Sequence, residues 1–377
     1  MALSSVLGPA EQPKTLHEPV LGQLEKEYLL QCIDSGYVSS VGAFVDRFEQ
    51  ELASLTGSPF VVATVNGTAA LHVALLLAGV RPGDEVLIPS LSFIATANAV
   101  IYCGATPHFC DIDEQTLGLN PVKLTEYLSD MCVTDQNGCV NKNTGARIGA
   151  VVPMHTFGSP VEMEGLLEVA DSFSIPVVED AAEALGSFYR GRHCGTLGQI
   201  GVLSFNGNKI ITTGGGGAIL TADKKLADAA RHLTTTAKAP HPWKFMHDKV
   251  GYNYRMPNIN AALGMAQLEQ LQGFLEAKKN LAARYAEAFA EVKGMSLFTP
   301  PDGSVSNYWL NAVLLNSPES GLLEMVLKAA GDEGYICRPA WTPLHLLQMF
   351  RECPSMDMVV TEDMSQKIIN LPSSANL

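Results

Sequence analysis

A series of short apolar runs sets the tightest limit on how this chain can fold. In order they read FVVATV, EVLIPS, TPHFCDI, IGAVVPMH, IPVVED, IGVLSF and GAILT, several of them separated by segments of helix length. Runs this short that stay apolar at successive positions predict strands covered on both faces. Their alternation with helical patterns predicts an α/β domain with a largely parallel sheet flanked by helices. In such sheets ligands gather beyond the carboxyl ends of the strands, so the polar residues after each run are the candidates for function.

After GYNYRMPNIN the pattern changes. INAALGMAQLEQLQGFLEAKKNLAARYAEAFAEV predicts a long amphipathic helix with a break near Gly273. Strand-like SNYWLNAVLL and GYICRPAW follow, mixed with helices. The expected organisation is a large domain over residues 1–254, N-terminal segment included, and a smaller α+β domain over residues 255–377. A chain of 377 residues is long enough for both cores.

Composition narrows the function classes. Hydrophobic residues at 47% and charged residues at 17% predict a globular rather than a disordered chain. A formal charge of −14 argues against nucleic acid or an anionic membrane as partner. The start, MALSSVLGPAEQPKTLHEPV, lacks the basic and then apolar pattern of a secretory signal. No run is long enough to span a membrane. The eight cysteines form no CxxC pair and no zinc-like spacing, so no metal is expected and the thiols fit a cytoplasmic protein.

The strand ends carry the chemistry. GVLSFNGNKIITTGGGG places a single lysine, Lys209, between an apolar run and four glycines. It is not a P-loop, because the lysine precedes the glycines, and it is not a dinucleotide fingerprint, because a strand follows them. IPVVED ends in Glu179 and Asp180; taken alone, Asp180 reads first as a helix cap or loop acid. In VVATVNGTAAL, Gly67 and Thr68 open a helix whose free amides suit an anion. Pyridoxal phosphate (PLP) would use all of these together. It needs a lysine amine for its aldehyde, a carboxylate beside its ring nitrogen and donors for its phosphate. Phe93, in PSLSFIATANAV, is a candidate to cover the ring, with a plain core position as the alternative.

These residues make the sequence resemble the sugar aminotransferases of the DegT/DnrJ/EryC1/StrS family, which have the fold-type I PLP architecture. The likeness runs from near Thr15 to the C-terminus. It is carried in order by NGTAALHVAL, PSLSFIATANAV, VVEDAAEALGS, SFNGNK with its glycines, and GYNYRMPNINAALGMAQLEQL. The resemblance implies that Lys209 condenses with the cofactor and that Asp180 pairs with the pyridine nitrogen, the two forming the catalytic set. It further implies that Phe93 stacks on the ring and that Gly67, Thr68 and Ser204 hold the phosphate. Glu183 stands where many members carry glutamine or histidine, near the phenolic oxygen. Asn253 resembles a phosphate ligand contributed by the neighbouring subunit, which implies a homodimer with shared sites. Lysine rather than histidine at 209 implies amino transfer rather than dehydration. The glycines are expected to let backbone pass close to the cofactor.

LSFNGNKIITTGGGG, PHFCDIDEQTLGLNP, SNYWLNAVLL and RPAWTPLH are most similar to the branch acting in legionaminic acid and bacillosamine synthesis. That likeness implies transfer of the amino group of L-glutamate, leaving 2-oxoglutarate, to C4 of a UDP-linked 2-acetamido-2,6-dideoxy-4-ketohexose. The alternatives are a GDP-perosamine-type or dTDP-4-keto-6-deoxysugar aminotransferase, or a regulatory member without turnover. The acidic protein must meet a diphosphate locally, and Arg255 and Arg338 are the candidates; Arg338 and Trp341 are expected on the sugar-nucleotide side, with a structural ion pair as the alternative for Arg338. A nicotinamide-dependent oxidoreductase is disfavoured by the missing dinucleotide fingerprint.

Overall fold

The structure, a computed structural model, describes residues 2–135, 138–317 and 321–377. Each apolar run forms a strand: β1 Phe60–Thr64, β2 Glu85–Pro89, β3 Thr106–Cys110, β4 Ile148–Val151, β5 Val178–Asp180, β6 Ile200–Ser204 and β7 Gly217–Thr221. Two ladders, β1-β7-β6-β5 and β3-β2-β4, are joined by parallel bridges at Val151–Val177 and Met154–Asp180. The result is one sheet in the order β1-β7-β6-β5-β4-β2-β3. β7 runs antiparallel to both its neighbours, whereas the other paired strands run parallel. Successive residues Val61, Val62 and Ala63 of β1 fall alternately into two apolar clusters, one on each face. That two-sided burial is why the strands read as unbroken apolar runs. Helix α1, Gly67–Leu77, leaves the end of β1, and α2, Ile94–Tyr102, leaves the end of β2.

The C-terminal part is built on α3, Asn258–Phe289, a continuous helix of 32 residues. The break expected at Gly273 is absent. Gly273 is exposed, and the helix is anchored on both sides of it. Ala261, Met265 and Leu271 pack with Phe48 and Leu203 of the large sheet's core. Leu281, Tyr285 and Phe289 pack with Val313, Tyr335 and Ile369. The latter side chains belong to or flank a second, antiparallel sheet, β8 Met295–Leu297, β9 Asn311–Leu315, β10 Arg338–Pro339 and β11 Ile368–Leu371, ordered β8-β9-β11-β10. The proposed division at 254/255 thus falls just ahead of the element that both cores share. The N-terminal segment reaches across to the small sheet: Val6 joins its cluster, Lys14 bridges to Tyr335, and Leu16 O accepts from Ser373 N at 2.7 Å. Among the described residues no helix is long and apolar enough to cross a membrane.

A Cβ built at Gly273 meets nothing within 4 Å. Gly273→Ala should therefore stabilise the protein by about 0.5–1 kcal/mol, through helix propensity alone. A higher urea midpoint at unchanged m value is the expected result; a lower midpoint would mean that the helix needs the freedom of glycine there.

Candidate active site

The carboxyl ends of the strands open into a cavity of about 490 Å³. Gly67, Thr68, Phe93, Asp180, Glu183, Ser204 and Lys209 all line it, and from the small part come Trp309, Arg338, Trp341 and Asn370. Asn253 does not line it. It lies exposed, bridged to Thr235, and its sequence neighbours Tyr252 and Tyr254 stack their rings on each other.

Strand β5 sorts its two acids by the alternation of side chains along a strand. Glu179 turns away from the cavity and accepts from the amides of Gly195, Leu197 and Gly198 and from His155 Nε2. Asp180 turns into the cavity. Its Oδ2 accepts from Thr96 Oγ1 at 2.7 Å, and its Oδ1 accepts from Ala182 N at 3.2 Å. Burial pushes the Asp180 carboxyl above its ordinary range, against the pull of Thr96, Ala182 and Lys209. A carboxylate held this way is one half of an ion pair, aimed at a cation that the ligand must bring.

Lys209 sits on a tight turn after β6, closed by its own N–H to Asn206 O at 3.0 Å. Trp309 Nε1 clamps that turn through Asn208 O at 2.6 Å. Lys209 Nζ stands 4.0 Å from the centroid of the Trp309 ring and 3.1 Å from Glu183 Oε1. The other oxygen of Glu183 accepts from Phe157 N at 2.9 Å. Burial pushes the Glu183 carboxyl up to about 7, although Lys209 and Phe157 favour its charged form.

At the opposite end Asn66 caps α1, accepting from Ala69 N at 2.7 Å. The first amides of the helix, those of Gly67 and Thr68, then have no intrahelical partner and face the cavity beside Ser204. A Cβ at Gly67 would lie 3.0 Å from Ser204 Cβ, so a side chain there would press on Ser204. Within the glycine run Gly216 and Gly217 serve packing, and the run does not, as expected, border the place of a ligand. None of its members lines the cavity. Gly217 is wedged between Thr64 and Ser204, where a Cβ would come within 2.6 Å of the Asn66 backbone.

The set fits PLP. Amides and a hydroxyl at a helix N-terminus suit the phosphate, the unpaired buried Asp180 suits a protonated ring nitrogen, and the Lys209 amine lies between them. Several contributors escaped the sequence reading. Thr96 follows Phe93 by one helical turn and could have been found from that spacing; Trp309, just ahead of β9, and Asn370, in β11, come from the distant small part and carry no local signal. His17, next to cavity-lining Leu16, has both ring nitrogens unpaired among the described residues. Burial, Lys278 and Lys209 push it down to about 2, so the ring is neutral. Arg255 is not available to a diphosphate. It is buried, paired with Glu49 and bonded to Ala63 O at 3.1 Å.

Comparison with known proteins agrees with this geometry. A family model described as the DegT/DnrJ/EryC1/StrS aminotransferase family matches residues 19–377. The GDP-perosamine synthase of Caulobacter vibrioides is 37% identical over 362 residues, covering 95% of this chain and 92% of that protein. The GDP-perosamine synthase of Escherichia coli O157:H7 is 36% identical, covering 96% and 93%. Among solved structures, the aminotransferase TlmJ from Streptoalloteichus hindustanus superposes with a TM-score of 0.87 at 30% identity, covering 97% of this chain and 94% of that one.

The position of Glu183 makes stability depend on pH. Its carboxyl is raised from 4.5 to about 7, so the fold favours the protonated form. That contribution is fully present below about pH 4.5 and is lost as the pH rises through about 7. Between about pH 5 and about pH 8 the cofactor-free wild type should lose on the order of 3 kcal/mol relative to Glu183→Gln. Unfolding free energies measured across that window check this. Parallel curves for the two proteins would show that Glu183 ionises like a surface acid.

Proposed function

This chain belongs to the DegT/DnrJ/EryC1/StrS aminotransferase family and is a PLP-dependent sugar aminotransferase, and we propose that it moves the amino group of L-glutamate to C4 of a GDP-linked 4-keto-6-deoxyhexose. The carrying observation is the convergence of the Lys209 amine, the buried Asp180 carboxylate and the open α1 N-terminus on one cavity. The similarity to GDP-perosamine synthases supports GDP. It lends no support to the UDP-linked 2-acetamido sugar expected from the sequence motifs, and the perosamine-type alternative fits better.

When bound, PLP supplies an aldehyde for amines and an electron-withdrawing ring. The chain supplies the rest. Asp180, fixed by Thr96 and Ala182, balances a cation at the buried end of the cavity. The amides of Gly67 and Thr68 and the Ser204 hydroxyl receive the phosphate. Lys209 Nζ takes the proton from the α-carbon of glutamate and returns one on the sugar side. One base serves both halves because the two substrates enter in turn. Glu183 and Trp309 hold the amine in place between these events.

A shared site explains where Asn253 lies. It is exposed, outside its own cavity, on a segment next to Trp243 (78% exposed), Phe245 (83%) and Val250 (82%). Apolar side chains this exposed favour burial against a second copy of the chain. In that dimer Asn253 reaches the phosphate end of the partner's cavity.

Steady-state kinetics with glutamate and GDP-, UDP- and dTDP-linked 4-keto-6-deoxyhexoses test the reaction. Parallel double-reciprocal lines and the highest kcat/KM for the GDP sugar are expected. A preference for the UDP-linked 2-acetamido sugar by about tenfold or more would remove the GDP assignment and leave amino transfer standing. Mixing inactive Lys209→Ala and Asn253→Ala protomers should restore activity, because one site of each mixed dimer then carries neither substitution. No recovery after verified subunit exchange would place Asn253 outside the partner's site.

A further inference from the structure

Asn370 in β11 stands directly across the ladder from Arg338 in β10, and both line the cavity. Asn370 is 3% exposed. Its Nδ2 faces Pro339 O at 3.4 Å, which sets how the amide is turned, since the reverse would oppose two carbonyl oxygens. Oδ1 is left buried with no hydrogen-bond partner among the described residues. A buried acceptor in this state is costly, and folded proteins rarely keep one that nothing completes. Arg338 is exposed, and no carboxylate among the described residues pairs with it.

The two side chains ask for opposite things. Oδ1 only accepts, so it repels carboxylate and phosphate oxygens and favours an O–H or N–H. The guanidinium only donates and favours anions. Their exposure orders them, with the acceptor deep and the cation toward solvent. Glutamate matches this order poorly: beyond its carboxylates it has one amine, and that amine must go to the reacting centre at Lys209. A nucleotide sugar matches it well, with hydroxyls on the leading hexose and a diphosphate behind. On a 4-keto-6-deoxyhexose joined through C1, hydroxyls remain at C2 and C3. We infer that Asn370 Oδ1 accepts a hydrogen bond from one of these ring hydroxyls, with Arg338 on the diphosphate side, which makes Asn370 a specificity-determining residue for the sugar half-reaction. This rests on the nucleotide-sugar reading above.

The test is equilibrium binding to the holoenzyme, by calorimetry, of GDP-linked 6-deoxyhexoses that carry a C4 hydroxyl and cannot react. The parent sugar is compared with its 2-deoxy and 3-deoxy analogues. Wild-type enzyme should bind one analogue about tenfold more weakly than the parent. Asn370→Ala should bind the parent about tenfold more weakly and no longer distinguish that analogue. Asn370→Leu, close in size but without the acceptor, gives the same reading if the alanine variant does not fold. In single-turnover kinetics the sugar half-reaction should fall at least about fivefold more than the glutamate half-reaction. Retained discrimination in the variants, or equal loss in both half-reactions, overturns the inference alone. Wild-type enzyme that binds neither these probes nor their UDP- and dTDP-linked counterparts, and aminates no 4-keto sugar, overturns the nucleotide-sugar reading and this inference with it.

Discussion

Two buried carboxylates share a single ammonium at the centre of this molecule, and the arrangement of the site follows from that imbalance. Glu183 takes Lys209 as its partner at 3.1 Å. Asp180 keeps only a hydroxyl and an amide, and burial raises its carboxyl. Removing a charge from water without a counter-charge is expensive, so such a group either stays protonated or acquires a cation. A protonated pyridine nitrogen would be that cation. On the proposed reading the cofactor completes the electrostatics of the fold as well as the chemistry of the site.

Holding the charges apart requires a rigid frame, and the strand ends provide it. Asp180 closes β5, which lies between β6 and the β4 side of the sheet. Its direction is fixed by the same alternation that turns Glu179 into the Gly195–Gly198 turn. Ser204 closes β6, and Gly217, paired with both Ser204 and Thr64, lets α1 start close to them. Because Lys209 sits on a turn clamped by Trp309, its amine is placed by the meeting of the two parts of the chain. Lys278 adds to that junction from inside α3. Its buried amine, pushed well below its ordinary range by burial, donates to the carbonyls of Trp309 and Ser373, tying the lysine's neighbour to the segment that follows β11.

What the sequence made legible is what local chemistry dictates. The strands were readable because two-sided burial demands continuous apolar residues; Lys209, Asp180, Gly67, Thr68 and Phe93 stood out because they end or closely follow strands, whereas Ser204 and Glu183 entered through the family resemblance, and all seven line the cavity. The structure departs from the sequence where tertiary contacts decide. Gly273 did not break α3, because packing on both sides outweighs a cost of about 1 kcal/mol. The glycine run looked like a ligand loop, yet its contacts are with Asn66, Thr213 and Met256. Arg255 looked available until Glu49 claimed it. Asn370, more than a hundred and fifty positions from Lys209 in the chain, had no pattern that could announce it.

The division of labour between the two parts also bears on how an acidic protein binds an anionic substrate. With a formal charge of −14, the far field repels a nucleotide diphosphate. Salt screens that field beyond about 10 Å, so recognition is left to groups at the cavity itself. The polar groups of the large sheet suit the cofactor: amides and Ser204 at one end, Asp180 at the other. What remains to meet a substrate is the small-domain wall, where among the described residues no carboxylate pairs with Arg338 and Asn370 Oδ1 has no hydrogen-bond partner, and where Trp341 sits beside Phe93 at 6.4 Å between ring centroids. The groups that suit PLP thus stand at the strand ends of the large sheet, and under the proposed function the choice of sugar falls to side chains of the short strands facing them.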